Sequence, residues 1–507
     1  MHVVLWDTRR LDASKDFAGG FGVGMYHGLG GLRGKIVRHF YTRDRRPVAL
    51  VYAYLAGILK TRGHSVRYVV DRPASGADLY VFNPSLITLD LERQQIERLR
   101  RREPTARVLV VGLAASVLPR AFDALGVTVI QGEAEQLHWK LDEVLDRPGE
   151  VVPVGTVEDL DRLPLPDWSL FSPQRFRIAY DFWRFPTALV QQSRGCTFRC
   201  NYCPYIILEN RTRFRDPAMV VEEIHHDMRR WGFRSFKFRD PLFGLSPPRV
   251  LELAERIGRL PRRIQFSVET RIDLMKPETL KLLKEVGLTS ITVGIETPDD
   301  ATLRRYRRAP IRDDRQRQFI ALCRELGIRT VAGFMIGFPD DTVKSIRRVL
   351  NYAKMLNPTF ANFNIVTPYP GTGFYEEVKD QIIDRDYSHY SVYRPVLACR
   401  SLSGPELQQL HAKCFTSYYF RIPYLQQNAP LLWPALQRLG MGAKKAQADG
   451  QTPSAGDGAS HGPSTRTSFS RRQDRPHGRS RPAGGDNQFP REAPGPTLGR
   501  SGGGRLA

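Results

Sequence analysis

Three of the six cysteines in this 507-residue chain fall within eight positions. Cys196, Cys200 and Cys203 have the spacing CxxxCxxC, which lets one loop present three thiolates to one inorganic centre. Such a trio can hold three irons of a 4Fe-4S cubane and leave the fourth iron open for chemistry. Zinc sites usually need four protein ligands, and no fourth cysteine or histidine stands at a suitable short spacing. The pattern therefore indicates an iron–sulfur centre, with structural zinc or plain buried cysteines as the weaker alternatives.

The other three cysteines and the apolar segments of the chain indicate the cellular compartment of the protein. Cys323, Cys399 and Cys414 are scattered singly, and we expect them to be structural. The N-terminus, MHVVLWDTRRLD, lacks the apolar region and cleavage site of a signal peptide. The longest apolar run, from Pro47 to Leu59, has 13 residues, whereas a bilayer crossing needs roughly 20. We therefore predict a cytoplasmic protein with no membrane span, in which a tight cysteine cluster serves metal or redox chemistry.

An alternating series of strands and helices must position the cysteine cluster. Six such units make a partial (β/α)6 barrel of parallel strands, with its reactive face at the C-terminal ends of the strands. The cluster begins just after the first of these strands, where a catalytic centre is expected. The predicted strands cover 187–193, 235–240, 264–270, 290–296, 330–337 and 360–366.

A second alternating series occupies the N-terminal part of the chain. Alternation of this kind predicts a Rossmann-like, flavodoxin-like parallel sheet covered by helices on both faces. Such sheets bind ligands at the carboxyl ends of their strands, here Asn83 to Ser85 and Gly112 to Ser116, although purely structural loops explain these residues as well. The predicted strands cover 2–6, 66–70, 78–82, 107–112 and 127–132.

The fold class is therefore α/β, with two parallel sheets, a helical C-terminal region and a basic tail. The tail is rich in Gly, Pro, Ser and Arg and buries too little apolar surface to fold, so we predict that it is disordered. The predicted segments are a Rossmann-like domain at 1–145, a linker at 146–186, the barrel at 187–367, the helical region at 368–440 and the tail at 441–507.

Net charge gives a weaker signal than the cysteines. The chain carries +23, of which the tail contributes +6 from 11 basic and 5 acidic residues. Local runs at Arg100 to Arg102 and at Arg304 to Arg317 are typical of solvated, arginine-rich helix faces, although the second leaves anionic substrates open. A basic tail raises nonspecific affinity for RNA through phosphate contacts, although we consider nucleic acid an unlikely substrate.

The loop SRGCTFRCNYCPY resembles the signature loop of the radical S-adenosylmethionine (radical SAM) superfamily. The resemblance implies that Cys196, Cys200 and Cys203 are the catalytic, metal-binding cysteines of a 4Fe-4S cluster whose open iron chelates S-adenosylmethionine. One electron then cleaves the carbon–sulfur bond and releases a 5'-deoxyadenosyl radical that abstracts hydrogen from the substrate. This cleavage needs the low end of the iron–sulfur range of potentials, so a flavodoxin or ferredoxin is the implied electron donor.

The resemblance also implies a set of cofactor-binding residues. Tyr202, just before the third cysteine, matches the position that packs on the adenine. Asp240 in KFRD ends the second strand, where the superfamily holds the methionyl amine. Glu269 in SVETR matches the carboxylate that binds the ribose hydroxyls, and Arg271, two residues on, is expected to share its face of the sheet.

Two more strand ends complete the set. Glu296 in VGIE ends the fourth strand, and GFMIGFPDDT resembles the glycine-rich strand end that approaches the cofactor backbone. Gly337 is assigned there because a side chain would collide. Taken singly, each charged residue could equally be a salt-bridge partner.

The segments RFRDPAMVVEEI and TPYPGTGFYEEV, together with the N-terminal α/β domain, resemble the cobalamin-binding branch of the superfamily. That branch holds a corrinoid between the N-terminal sheet and the barrel. QGEAE, residues 131 to 135, matches the branch's GE-containing strand end. DxHxxG does not occur, and GLAAS at 112 to 116 departs from the pattern. Cobalamin is therefore a predicted cofactor, with a retained but empty domain as the alternative.

The resulting function is that of a radical SAM enzyme that uses cobalamin to transfer a methyl group to an unactivated carbon of a small molecule. A natural-product or lipid precursor is the expected class of substrate. The alternative is a radical SAM oxidoreductase, cyclase or dehydratase without methyl transfer. An RNA-modifying enzyme is a weaker alternative.

Overall fold

A computed structural model of the chain describes residues 1–10, 13–15, 18–24, 49–176 and 185–429. The chain divides into two compact units, Met1–Met441 and Gly442–Ala507. The second unit lies outside the described residues, and so does the predicted disordered tail at 441–507. The account below therefore concerns the first unit.

The N-terminal sheet has six parallel strands in the order β4-β1-β5-β6-β7-β8. This is the flavodoxin-like doubly wound order, in which the chain reverses direction of travel at β1 and leaves a crevice at the carboxyl ends of β1 and β5. In chain order the strands are β1 (His2–Asp7), the short hairpin strands β2 (Ala13–Ser14) and β3 (Val23–Gly24), β4 (Ser65–Val70), β5 (Leu79–Phe82), β6 (Arg107–Val110), β7 (Thr128–Gly132) and β8 (Val151–Gly155).

Helices cover both faces of this sheet, because its strands are apolar on both sides, as in the fully buried run Leu79–Phe82. The predicted Rossmann-like architecture is thus confirmed. The helices are α1 (Leu50–Thr61), α2 (Leu89–Arg102), α3 (Leu113–Val117) and α4 (Leu137–Leu145).

The sheet extends further along the chain than its predicted boundary at residue 145. Strand β8 lies in the predicted linker, 146–186, and forms the edge of the sheet. Its residues alternate between exposed and buried, and Pro153 is tolerated because an edge strand can lack one N–H donor. Prolines at 153, 164 and 166 concealed this short strand in the sequence.

The second sheet is a partial barrel with the order β16-β15-β14-β13-β12-β9, again all parallel. Every predicted barrel strand is present, and its ends lie within three residues of those expected. The strands are β9 (Thr187–Val190), the hairpin strands β10 (Ser193–Arg194) and β11 (Arg213–Phe214), β12 (Ser235–Phe238), β13 (Gln265–Thr270), β14 (Leu288–Glu296), β15 (Arg329–Ile336) and β16 (Phe360–Ile365).

Amphipathic helices pack their apolar faces against the outside of the barrel. Several begin at a side-chain cap, as where Thr342 accepts from the Ser345 amide. The described helices are α5 (Pro217–Trp231), α6 (Pro247–Gly258), α7 (Pro277–Glu285), α8 (Asp300–Arg305), α9 (Asp313–Glu325), α10 (Val343–Leu356), α11 (Gly373–Val378) and α12 (Gly404–Tyr419).

The C-terminal helix α12 closes the edge of the barrel next to β16. His411 on this helix hydrogen-bonds the Phe363 carbonyl of β16 at 2.9 Å, and Tyr419 donates to the Ala361 carbonyl at 2.9 Å. The open edge of the last strand is therefore covered. None of the helices in the described ranges is long and apolar enough to cross a membrane.

Candidate active site

The cysteine loop is held at both ends by a small antiparallel hairpin. Strands β10 and β11 pair Ser193 with Phe214 and Arg194 with Arg213, so the loop between them must close on itself. Gly195 has φ +83°, and a Cβ there would lie 2.1 Å from the Arg211 carbonyl oxygen. Only glycine fits this position, which explains the glycine directly before the first cysteine.

A second contact fixes the loop from inside. The Asn210 amide donates to the carbonyls of Cys196 and Phe198 at 2.6 and 2.8 Å. These bonds satisfy backbone acceptors of the loop that have no strand or helix to pair with. The loop is thus shaped by its own side chains before any cofactor is present.

The three thiols of Cys196, Cys200 and Cys203 line one cavity. Burial raises the pKa of Cys196, and it raises the pKa of Cys203 to about 12, so cluster binding must displace protons. No group of three His, Cys, Asp or Glu side chains in the described ranges is close enough to hold a single metal ion. A cubane has a different requirement, since each thiolate binds a different iron. The cavity wall thus supplies the three thiolates that a cubane with one open iron takes from the protein.

The cavity has a volume of about 380 Å³ and lies at the C-terminal ends of the barrel strands. Most of the predicted site residues line it, and Asp240 and Gly337 are the two that do not. The predicted residues in its wall are Cys196, Cys200, Tyr202, Cys203, Glu269, Arg271 and Glu296.

Glu269 lies between two cations at the C-terminal end of β12. Its Oε1 is 2.8 Å from the Lys237 ammonium and 2.9 Å from the Arg239 guanidinium. Burial alone would raise the pKa of Glu269, but the two cations hold it below its ordinary value. The carboxylate is therefore charged at neutral pH. The sequence indicated these two cations, because Lys237 and Arg239 alternate with Phe236 and Phe238 along and just after a strand that is otherwise buried.

Arg271 lines the same cavity as Glu269, as their two-residue spacing predicts. Its guanidinium lies over the Phe198 ring at 4.4 Å and forms a two-pronged ion pair with Asp273, at 3.0 and 2.9 Å. Stacking on Phe198 connects β13 directly to the cysteine loop. The side chain is thus fixed between the barrel and the loop.

Glu296 has a backbone conformation that is uncommon for a residue other than glycine. Its φ is +65°, at an irregularity in the pairing of β14 with β15. This geometry turns the carboxylate into the cavity, where burial raises its pKa. Backbone strain of this kind tends to accumulate at functional sites.

Arg308 is a site residue that the sequence analysis missed. It belongs to the run from Arg304 to Arg317 that was predicted to be a surface helix face, but this one guanidinium is buried in the cavity wall. It lies 3.3 Å from Glu296 and donates to the Gly294 carbonyl at 2.6 Å. Helix α8 ends at Arg305, so Arg308 lies in the turn before α9, and its side chain points into the cavity.

Tyr202 forms part of the wall next to the cysteines. Its ring packs edge-on against Phe338, with centroids 6.4 Å apart, and its hydroxyl is buried without a partner among the described residues. Burial raises the pKa of this phenol well above its ordinary value. The ring therefore offers a neutral aromatic surface beside the cluster loop.

Asp240 lies behind the loop, outside the cavity wall. Its carboxylate accepts hydrogen bonds from the Ser193 hydroxyl at 2.6 Å and from the backbone N–H of Gln192 at 3.2 Å. Both donors lie just before the cysteine loop. Full burial raises its pKa from 3.8 to about 7, although these hydrogen bonds oppose the shift. In this structure Asp240 anchors the start of the loop, and its predicted contact with the methionyl amine stays a prediction.

The raised pKa of Asp240 predicts a dependence of stability on pH. The folded protein holds this proton up to about pH 7, whereas the unfolded chain releases it near pH 3.8. The free energy of unfolding is therefore highest at low pH and falls as the pH rises from about 3.8 to about 7. Relative to Asp240→Asn, the wild-type free energy of unfolding should fall by about 2.5 kcal/mol between pH 5 and 8. Urea titrations at several pH values test this, with the exposed Asp90→Asn as control. Parallel curves for the wild type and Asp240→Asn would contradict it.

Gly337 follows β15 with φ +84°. A Cβ there would lie 2.9 Å from the Leu407 side chain of α12. The backbone N–H of Gly337 donates to the Asp341 carboxylate at 2.7 Å. The steric reason for glycine in this structure is thus the C-terminal helix. Its predicted approach to the cofactor stays a prediction.

A second cavity, of about 220 Å³, lies between the N-terminal sheet and the cysteine loop. Glycine backbones form part of its wall, so a flat group can approach the main chain closely. It shares Pro204, Tyr205, Arg239 and Pro241 with the first cavity. The glycines in its wall are Gly19, Gly20, Gly112, Gly132 and Gly195.

Buried ion pairs join the two sheets at this second cavity. Glu133 lies 2.6 Å from Arg213 and 3.5 Å from Arg194, and Glu135 lies 3.0 Å from Arg194. Both glutamates follow β7, and both arginines belong to the hairpin around the cysteine loop. The QGEAE segment therefore has a structural role in aligning the sheet with the loop.

Residues 190–353 match the model of the radical SAM superfamily. This match, together with the cysteine loop inside it, identifies residues 190–353 as a radical SAM domain. The matched domain implies a 4Fe-4S cluster and S-adenosylmethionine as cofactors, in agreement with the three cysteines that line the first cavity.

Individual relatives give a closer comparison. The chain is 25% identical over 313 residues to an uncharacterized methyltransferase of Pyrococcus horikoshii, covering 58% of this chain and 67% of the relative. It is 28% identical over 256 residues to the anaerobic magnesium-protoporphyrin IX monomethyl ester cyclase of Cereibacter sphaeroides, covering 50% of this chain and 41% of the cyclase. The match thus spans less than half of the cyclase's length.

The fold is similar to that of TsrM, a radical S-adenosylmethionine methyltransferase from Kitasatospora setae solved with cobalamin and a [4Fe-4S] cluster bound. The TM-score is 0.56 at 16% identity, over 75% of this chain and 78% of TsrM. At this identity the likeness establishes the shared fold.

Proposed function

We propose that this enzyme transfers a methyl group, by way of cobalamin, to an unactivated carbon of a small molecule. The junction of the two cavities carries the proposal, because a glycine-walled space lies against the cysteine loop and shares four wall residues with the cavity that the three cysteines line. The fold of TsrM and the description of the Pyrococcus relative as a methyltransferase support it.

The proposal assigns roles to the residues of the first cavity. Cys196, Cys200 and Cys203 hold the cluster, which together with S-adenosylmethionine supplies the hydrogen-abstracting radical. Glu296 and Arg308, an ion pair at the cavity wall, present opposite charges to the amine and carboxylate of the methionyl group. Glu269 accepts hydrogen bonds from the ribose.

The remaining residues position these groups. The Tyr202 ring packs on the adenine, while Arg271 fixes Phe198 of the cysteine loop. Asp240 anchors the start of that loop, and Gly337 lets α12 close against β15. These contacts hold the site before the cofactors bind, which limits the reorganisation needed for chemistry.

In the second cavity, cobalamin would supply the methyl group that is transferred. Residues of the wall exclude water and align the two cavities through the ion pairs of Glu133 with Arg194 and Arg213. We further propose a low-potential flavodoxin or ferredoxin as electron donor, and a reducing compartment such as the cytoplasm. The absence of disulfides among the described cysteines and the low potential required of the cluster support this assignment.

Cobalamin binding is tested by cobalt retention. Protein incubated with hydroxocobalamin and desalted should keep close to one cobalt per chain. Ala49→Trp puts a large side chain into the second cavity and should reduce the retained cobalt at unchanged iron content. Ala121→Trp, on the opposite face of the N-terminal sheet, is the matched control. Wild-type protein that keeps no corrinoid would contradict the proposal.

Methyl transfer is tested by the products of S-adenosylmethionine. Under reducing conditions, methylation of cobalamin should release S-adenosylhomocysteine, and radical cleavage should separately release 5'-deoxyadenosine. Formation of 5'-deoxyadenosine alone, with or without cobalamin, would favour the alternative of a radical oxidoreductase, cyclase or dehydratase. The similarity to the Cereibacter cyclase is the observation that supports this alternative.

A further inference from the structure

The first cavity has two chemically different walls. The charged wall is formed by the cysteine loop, the C-terminal ends of β12, β13 and β14 with the residues that directly follow them, and the loop that carries Arg308. The uncharged wall is formed by β15, β16 and the segment from 366 to 393. Every formally charged residue that lines the cavity within the described ranges belongs to the charged wall.

The charges of the charged wall already have partners within the protein. Glu269 pairs with Lys237 and Arg239, and Glu296 pairs with Arg308 at 3.3 Å. This wall also contains the cysteine loop, so it is the part that the cluster and S-adenosylmethionine would occupy. The substrate must then meet the uncharged wall.

The uncharged wall is largely apolar, with Val331, Met335, Ile365 and Val392 facing the cavity. An ionised group placed against these side chains would lose its hydration without gaining a counter-charge. A hydrocarbon surface, in contrast, is stabilised there by burial.

Two polar atoms interrupt this apolar surface. The side-chain oxygen of Asn364 and the hydroxyl of Tyr369 are buried, and neither has a hydrogen-bond partner among the described residues. Leaving such groups unsatisfied costs about 1–3 kcal/mol each, so buried polar groups of this kind normally find a partner.

The neighbouring polar groups show what is unusual about this pair. Asn362, two residues before Asn364 on β16, faces the same cavity but accepts a hydrogen bond from the Tyr393 hydroxyl at 3.0 Å. The ring of Tyr369 is fixed by stacking on Phe21, with centroids 5.2 Å apart. Stacking therefore holds the Tyr369 ring in the cavity wall, and its buried hydroxyl has no partner among the described residues.

We propose that the uncharged wall binds an uncharged, mainly hydrocarbon substrate through one hydroxyl-type group, which accepts a hydrogen bond from Tyr369 and donates one to Asn364. A hydroxyl suits both residues because it is donor and acceptor at once. This inference rests on the proposed function, since it assigns the substrate to the cavity of the radical chemistry. It makes Asn364 and Tyr369 residues that determine specificity.

The test uses full-length, cluster-free protein and three probes of equal chain length: octan-1-ol, octanoate and octylammonium. Ligand-observed NMR titrations should show octan-1-ol binding at least tenfold more tightly than either charged probe. Tyr369→Phe and Asn364→Leu should each weaken octan-1-ol binding by about fivefold. Tyr418→Phe is the matched control, because that hydroxyl bonds the Pro358 carbonyl in the core.

Binding of octanoate or octylammonium as tight as that of octan-1-ol would overturn the proposal. An effect of Tyr369→Phe and Asn364→Leu no larger than that of Tyr418→Phe would overturn it too. The outcome is separate from that of the proposed function, since these titrations need neither cluster nor cobalamin. Protein that shows the expected probe pattern but keeps no cobalt would sustain this inference and reject the methyl-transfer proposal.

Discussion

Replacing Cys200 with alanine is expected to abolish cleavage of S-adenosylmethionine. The Cys200 side chain is buried in the cavity wall beside Cys196 and Cys203, and no other described cysteine lines that cavity. A cubane held by two thiolates has two open irons and a much weaker attachment, so iron content should fall as well. We expect about four irons per chain in reconstituted wild-type protein and a loss of 5'-deoxyadenosine formation of more than about 100-fold in the variant.

The control for this experiment is Cys323→Ala. Cys323 is also fully buried and free, but it lies on α9 outside the cavity. Both variants remove one buried thiol, so a general loss of stability would affect both. Cleavage retained by Cys200→Ala, or lost equally by Cys323→Ala, would contradict the assignment of the cluster.

The second large effect concerns the ion pair between Arg308 and Glu296. Replacing Arg308 with methionine leaves the Glu296 carboxylate buried without its cation. Breaking a buried pair by removing one partner is strongly destabilising, and we expect a loss of about 3 kcal/mol in the free energy of unfolding of the cluster-free protein. The double variant Arg308→Met, Glu296→Gln removes the stranded charge and should recover most of the loss.

The pH dependence of this loss provides an independent check. Burial already raises the pKa of Glu296, and removing Arg308 raises it further. The destabilisation should therefore be largest at high pH and shrink as the pH falls and the carboxylate takes up a proton. Arg312→Met, which removes an exposed guanidinium of the same arginine-rich run, should have little effect. A pH-independent loss, or no recovery in the double variant, would show that Arg308 acts through packing alone.

Much of the barrel could be predicted because its strands are buried on both faces. Continuous apolar runs bounded by glycine or proline give a strong signal, and all six barrel strands were found within a few residues of their limits. Strand β8 was missed because it lies at an edge, where half of its residues are exposed and Pro153 is tolerated. The weak periodicity of an edge strand is easily taken for a linker.

The site residues likewise divide into those that the sequence predicted and one that it missed. Residues at the ends of predicted strands, such as Glu269 and Glu296, were found because parallel strands bring their C-terminal ends to one edge of the sheet. Arg308 was missed because it lies in a turn, where no periodicity indicates which of several arginines points inward. Asp240 was found at a strand end, but its neighbours Gln192 and Ser193 turn its carboxylate toward the base of the loop.

The sequence by itself determined the reaction class, since the spacing of three cysteines is a local property of one loop and needs no tertiary contact to be recognised. The alternation of strands and helices likewise determined two parallel sheets, because each element buries its apolar face with its own periodicity. Only the tertiary structure decided which charges enter the cavity, how the two cavities meet, and which wall remains uncharged. These depend on the side-chain partners that distant segments supply, as Arg308 does for Glu296 and Phe21 for Tyr369.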